Sequence, residues 1–244
     1  MRLDAALVSR GLARSRGQAQ DLIAAGLVKV NGRRPRRSSM RVDEADVLVA
    51  HADPWVSRAA HKLLGALDAS GTTVAGRALD AGASTGGFTQ VLLARGCSLV
   101  HAVDVGHGQL AGAIASDPRV VVHEGLNLRD LTLADIGGQP VDVVVADVSF
   151  ISLRLLVGRL RAVAADDAIA LIMVKPQFEL GRAALDSRGV LAEPDRAHEA
   201  VDLVAQAASR SGWRELWRGE SPLPGEAGNR EFFLRLQAVG GVGG

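Results

Sequence analysis

The stretch Leu79-Asp80-Ala81-Gly82-Ala83-Ser84-Thr85-Gly86-Gly87-Phe88-Thr89 constrains the fold more than any other part of the 244-residue chain. An apolar run ends in an acid, passes through a glycine-punctuated turn and opens into a helical pattern carried by Phe88, Val91, Leu92 and Leu93. A strand that turns through glycine into a helix is half of a βαβ unit, and such a turn offers backbone N–H groups to a nucleotide-like ligand. The glycines are spaced G-x-x-x-G-G rather than G-x-G-x-x-G, which argues against a nicotinamide enzyme.

From residue 77 onward the same alternation continues. Residues 99–104, 120–123, 141–147 and 168–174 read as strands, with helical patterns over 88–95, 110–116 and 153–164 between them. This predicts an α/β fold with a doubly wound, mostly parallel Rossmann-like sheet covered on both faces. Residues 194–211 read as a helix, and 213–220 with 231–236 as a hairpin that gives the sheet an antiparallel edge strand. A smaller α+β region precedes it. Leu3, Ala6 and Leu7 share one helix face, and Ser15 is placed to cap a second helix. Residues 27–30 alternate as a strand ended by Asn31-Gly32, a tight-turn dipeptide, and 47–50 close a small sheet. The boundaries expected are a domain over 1–50, a linker over 51–56, a second domain over 57–238 and a disordered tail over 239–244.

Charge separates the two regions. Residues 1–50 carry ten Lys/Arg against five Asp/Glu, net +5, and the remainder eighteen against twenty-two, net −4, which together make the overall +1. Arg2, Arg14, Arg16, Lys29, Arg33, Arg34, Arg36 and Arg37 can converge on a phosphate-binding surface, although a charge run is also an ordinary solvated face. No apolar run approaches the roughly 18 residues of a membrane helix, and no export signal is recognisable, so a cytoplasmic location is expected. Six histidines and one cysteine show no ligand spacing, and no metal is expected.

Ligand-binding candidates follow from strand ends, where open α/β sheets bind their ligands. Asp80 can reach a cationic or amino group, Gly82, Ser84, Thr85, Gly86, Gly87 and Phe88 line the turn, and Asp104 can accept from a ribose diol. Asn127 is expected near a base. Asp147, Lys175 and Glu231 each stand beside an apolar strand; the alternative is a structural Asp147–Lys175 ion pair and an exposed strand start at Glu231. On local grounds Lys62 is a solvated lysine on a helix that Ser57 caps.

Three resemblances add to this. Arg2-Leu3-Asp4, Leu7, Gly11, Ser15-Arg16, Ala19, Ile23, Gly26, Val28 and Val30-Asn31-Gly32 resemble the S4 RNA-binding domain, which implies structured RNA read by backbone and shape. Asp80-x-Gly82-x-x-x-Gly86-Gly87 resembles the S-adenosylmethionine loop of FtsJ-type methyltransferases. Residues 57–63, 79–88, 146–153, 174–179 and 221–233 look like the TlyA family, whose members carry haemolysin-like names as well as the description of ribosomal RNA 2′-O-methyltransferases. His107 stands where tyrosine is common in that family.

The last resemblance implies S-adenosyl-L-methionine as cofactor, with Asp147 also near it, and a Lys-Asp-Lys-Glu tetrad at Lys62, Asp147, Lys175 and Glu231. It implies 2′-O-methylation of a cytidine ribose in ribosomal RNA within an assembled subunit. The short ends of the chain look like the form that acts on the large subunit. Lys175 is the candidate base, which a neighbouring cation such as Lys62 favours and Asp147 opposes. Phe150 is either a stacking platform for a base or a core residue. The alternatives are a non-catalytic ribosome-binding or assembly factor and, with less support, a haemolysin. A monomer is expected.

Overall fold

The computed structural model describes residues 1–13, 15–50 and 53–240. Arg14 of the expected basic surface, His51 and Ala52 of the expected linker, and residues 241–244 of the expected tail lie outside them. The chain divides into two compact units, Met1–Arg58 and Ala59–Gly244.

In the first unit, α1 (Leu3–Ser9) and α2 (Arg16–Ala24) lie beside a two-stranded antiparallel sheet of β1 (Val28–Val30) and β2 (Leu48–Ala50). Ser15 Oγ accepts from the Gln18 N–H at 3.2 Å, the cap expected of it. Val30 and Arg33 exchange backbone hydrogen bonds of 2.8 and 3.0 Å around Asn31 and Gly32, both at positive φ. That is the two-residue turn an Asn-Gly pair favours. Leu3, Ala6, Leu7, Leu22, Ile23, Val28 and Val30 form its buried core.

The second unit opens with α3 (Ala59–Ser70). It continues as β3 (Gly76–Ala81), α4 (Gly87–Ala94), β4 (Cys97–Asp104), α5 (Gly112–Ala115), β5 (Val120–Glu124), β6 (Val141–Ala146), α6 (Val157–Ala162), β7 (Ala164–Val174), α7 (Pro176–Glu179), α8 (Ala197–Arg210), β8 (Trp213–Glu220) and β9 (Phe232–Ala238). The sheet order is β5-β4-β3-β6-β7-β9-β8. β3 to β7 pair in parallel, and β9 runs antiparallel to both β7 and β8. The antiparallel component expected at the edge is thus a hairpin whose reversed strand, β9, lies between β7 and β8. Val143, Val144, Val145 and Ala146 are all buried, as in a strand covered on both faces.

Several local expectations change. The helix expected over 110–116 shrinks to the four residues of α5, and the one over 153–164 splits into a 3₁₀ turn, Leu153–Leu155, and α6. Ser57 Oγ is buried without a hydrogen bond and does not cap α3. Lys62 is buried at 6% exposure, because its partner Glu231 arrives from far along the chain, just ahead of β9, so the solvated-lysine reading fails. The chain runs outward from β3 through β4 to β5, then returns to the other side of β3 as β6. This reversal leaves a crevice at the carboxyl ends of β3 and β6, where such sheets bind ligands.

Candidate active site

The glycine turn leaves the end of β3 at that crevice. The N–H groups of Gly82 and Ala83 both donate to Val103 O, at 2.9 and 3.1 Å, so the turn is laid against the end of β4. Gly82 has φ +87°, and a Cβ there would stand 2.7 Å from the Asp147 carbonyl oxygen. Only glycine lets this turn close on the strand that delivers Asp147. Gly86, at φ +94°, stands at the N-cap of α4, where a Cβ would meet Leu110 at 2.7 Å.

Asp80 lies wholly buried beneath the turn. Its Oδ2 accepts from Thr89 Oγ1 at 2.6 Å, and its Oδ1 has no hydrogen-bond partner. Burial pushes its carboxyl up to about 7, opposed by the Thr89 hydrogen bond and reinforced by Asp147 and Asp104. A buried, unsatisfied carboxylate oxygen is costly, and a cationic or amino donor would relieve it. Sequence reasoning misses Thr89, whose only signal is a hydroxyl within an apolar helix face.

Asp104, at the end of β4, accepts from the Ser84 N–H at 2.8 Å and the Gly106 N–H at 2.7 Å. It therefore braces the turn. Ser84 donates through Oγ to Gln109 at 3.2 Å, and the exposed Thr85 accepts from the Ala111 N–H through its carbonyl. Gly87 is buried, and Phe88 is buried against Phe233 with ring centroids 6.2 Å apart, behind the turn rather than on its open side. Asn127 is exposed, and its Oδ1 accepts from the Arg129 N–H at 3.0 Å in a local turn. The loop after β5 nevertheless joins that after β4, since Gly125 N–H donates to Gly106 O and the His107 ring lies over Gly125.

The four residues Lys62, Asp147, Lys175 and Glu231 form two ion pairs. Lys62 Nζ donates to Glu231 Oε2 at 2.5 Å with both side chains buried. Lys175 Nζ lies 2.6 Å from Asp147 Oδ1 and directs its hydrogen bond to Ser149 Oγ at 2.9 Å. Strand register explains the gathering. Ala146 pairs with Ala81 on one side and Ile172 on the other, while Val174 pairs with Phe232. Asp147 thus follows β6 beside Gly82, and Lys175 and Glu231 occupy the next positions beyond the Val174–Phe232 pair.

Beside these pairs, Phe150 is 92% exposed at φ +64°, its ring 5.2 Å from that of Phe178. The core reading of Phe150 is excluded. A bulky residue held in the left-handed region is uncommon, and here it presents an aromatic face to solvent. The buried Glu179 fastens this loop, accepting from Ser152 Oγ at 2.5 Å and the Leu153 N–H at 2.7 Å.

In the first unit the basic residues form separate groups. Arg33, Arg34, Arg36 and Arg37 line a cleft of about 790 Å³ together with Asn31 and Met40. Arg2 and Arg16 instead reach the carboxylate of Asp4, and Lys29 is exposed on β1. In the sequence Asp4 shows itself as the acid of Arg2-Leu3-Asp4 and as a lone acid in a basic segment.

Comparison with known proteins follows this division. Residues 1–48 match the S4 domain and residues 55–238 the FtsJ-like methyltransferase domain. The 16S/23S rRNA (cytidine-2′-O)-methyltransferase TlyA of Mycobacterium tuberculosis is 50% identical over 240 residues, 97% of this chain and 89% of that one. The 23S rRNA (cytidine-2′-O)-methyltransferase TlyA of Campylobacter jejuni is 31% identical, covering 93% and 95%. A solved structure carrying a hemolysin name, from Streptococcus thermophilus, superposes with a TM-score of 0.75 at 34% identity, covering 98% of this chain and 89% of that one.

Proposed function

The chain belongs to the FtsJ-like methyltransferase family, with an S4 domain ahead of the catalytic one, and from that premise we propose that it methylates the ribose 2′-hydroxyl of a cytidine in ribosomal RNA. Its cofactor is S-adenosyl-L-methionine, and the residues at the glycine turn fit it. Asp80 has an unsatisfied buried oxygen, and Gly82 and Gly86 keep side chains off the turn. When bound, the cofactor supplies an electrophilic methyl group on sulfur.

The observation that carries the reading is the gathering of Lys62, Asp147, Lys175 and Glu231 as two ion pairs at the strand ends beside that turn. A ribose hydroxyl is a weak nucleophile at neutral pH, so its proton must pass to a positioned base as its oxygen attacks. Lys175 Nζ is the group that takes that proton. Asp147 Oδ1 and Ser149 Oγ hold the nitrogen in place before and after the transfer. Glu231 holds Lys62, whose buried positive charge favours an alkoxide-like oxygen nearby. Phe150 offers its face to a base drawn out of its helix, as RNA enzymes stack unpaired bases on aromatic rings.

The substrate is an assembled subunit, and the large one is favoured, because 23S rRNA is common to the names of both rRNA methyltransferases compared above. Such an enzyme works in the cytoplasm, where its substrate is. Among the described residues no helix is long and apolar enough to cross a membrane.

Incubation with methyl-labelled cofactor and subunits from a strain lacking the enzyme tests the reading. Nucleoside mass spectrometry should return labelled 2′-O-methylcytidine from large-subunit RNA. Unlabelled RNA from an enzyme that still binds subunits would replace the reading with a non-catalytic assembly factor, and label persisting in Lys175→Ala would remove Lys175 as the base.

A further inference from the structure

Asp4 is the one wholly buried carboxylate among the described residues of the first unit, and nothing in the chemistry above uses it. Its two oxygens receive five donors. Arg2 grips both, through Nε to Oδ1 at 3.0 Å and Nη2 to Oδ2 at 2.9 Å. Gln20 Nε2 donates to Oδ2 at 2.9 Å, the Ala5 N–H donates to Oδ1 at 2.9 Å, and Arg16 Nη2 reaches Oδ2 at 3.4 Å. The Arg2 guanidinium holds the Asp4 carboxyl well below the usual carboxylate range, so the group is ionised at any pH near neutrality.

The arrangement does more than hold a helix. Two guanidinium groups are drawn to a single carboxylate oxygen, so two positive charges share one negative charge. Both arginine side chains stay open to solvent, at 47% and 58% exposure, while the acid is hidden behind them. A bidentate grip through Nε and Nη2 uses one edge of the planar Arg2 fork and leaves Nη1 outside the grip, on a side chain that is half exposed. An uncompensated positive charge on two pre-oriented forks suits one bridging phosphodiester, because the arginines need not be ordered when the anion arrives.

We propose that Asp4 is a positioning residue for RNA binding: from beneath the surface it aligns Arg2 and Arg16 as a paired clamp for one backbone phosphate. This rests on the reading of the first unit as an RNA-binding module. It sets an acid to work in favour of binding a polyanion, which long-range charge alone would not anticipate.

The test measures binding of the full chain to a fluorescently labelled RNA hairpin across a series of salt concentrations, for Asp4→Asn, for Arg2→Gln/Arg16→Gln and for all three changes together. Removing the acid adds one unit of positive charge, so general electrostatics predicts tighter binding. The clamp predicts weaker binding, by roughly ten-fold, as for the loss of about one charge-assisted hydrogen bond. The slope of log affinity against log salt should fall by about 1, one phosphate contact. The combined variant should bind no more weakly than the arginine pair alone, because Asp4 acts through those side chains.

Binding by Asp4→Asn that is unchanged or tighter, or losses that add in the combined variant, overturns the proposal. If Asp4→Asn unfolds the first unit, seen as lost helical circular dichroism, Arg2→Lys replaces it. Lysine keeps the charge but cannot grip both oxygens, so weaker binding supports the clamp and unchanged binding overturns it. An unsubstituted chain whose affinity for the hairpin ignores salt would instead overturn the RNA-binding reading itself.

Discussion

Lys62 Nζ and Glu231 Oε2 meet at 2.5 Å across 169 residues of sequence, both side chains almost wholly buried. The pair fastens α3 to the start of β9, and so ties one half of the proposed catalytic group to the reversed strand of the sheet. Taking one member of such a pair away leaves a buried charge without a partner, at a cost of about 3–5 kcal/mol. Glu231→Gln should therefore lose both stability and methyl transfer. Lys62→Met combined with Glu231→Leu should regain most of the stability, since apolar replacement of a buried pair is often neutral or better, yet stay inactive. Urea unfolding midpoints beside methyl-transfer rates check this; activity in the apolar double variant would show that the pair only holds the fold.

Asp80 should make folding stability depend on pH. Between its unfolded value near 4 and its folded value of about 7, the folded chain keeps a proton that the unfolded chain has released. Stability should therefore fall as pH rises across that window and level off above it. Asp80→Asn should flatten the dependence. Urea midpoints measured without cofactor at a series of pH values are the readout, and a decline of equal size in Asp80→Asn would assign it to other groups.

Phe150 separates stability from function in the opposite sense. Its left-handed backbone costs about 1–2 kcal/mol, which glycine does not incur. Phe150→Gly should leave folding unharmed or improved, while transfer to RNA falls roughly ten-fold to a hundred-fold, the scale of about 1–3 kcal/mol for one base stacked on an aromatic ring. Cofactor affinity by calorimetry should not change. Undiminished transfer would remove the stacking role.

Gly82 tests how closely the turn and the strand that delivers Asp147 are fitted. An added methyl group would meet the Asp147 carbonyl at 2.7 Å in a backbone conformation that already disfavours side chains. Gly82→Ala should lose about 1–2 kcal/mol from the conformation alone. It should also displace Asp147, lowering the maximal transfer rate even at saturating cofactor. A variant with weakened cofactor binding but full maximal rate would show that the turn adjusts without moving Asp147.

Local pattern accounts for much of this architecture. The apolar runs of β4, β5, β6 and β7, the alternating strand β8, the Asn31-Gly32 turn and the Ser15 cap lie within a residue or a few of where the periodicity puts them, because each depends on neighbours a few positions away. Lys62 and Phe150 show where local reasoning stops. By its own helix, Lys62 belongs in solvent, and only the arrival of Glu231 makes its burial tolerable. Phe150 has the composition of a core residue, yet the loop after β6, tied down by Glu179 through Ser152 and Leu153, turns it outward.

Side-chain period, backbone freedom and local charge were enough to place most strands and several helices, the glycine turn and the basic end of the chain, though not the extent of α5 or the break before α6. The pairing of Lys62 with Glu231 and of Lys175 with Asp147, the unsatisfied oxygen of Asp80 and the gathering of Arg2 and Arg16 by Asp4 came with the packed fold. Those contacts depend on strand order, on register and on how much water is excluded, and such quantities exist only once distant segments have packed together.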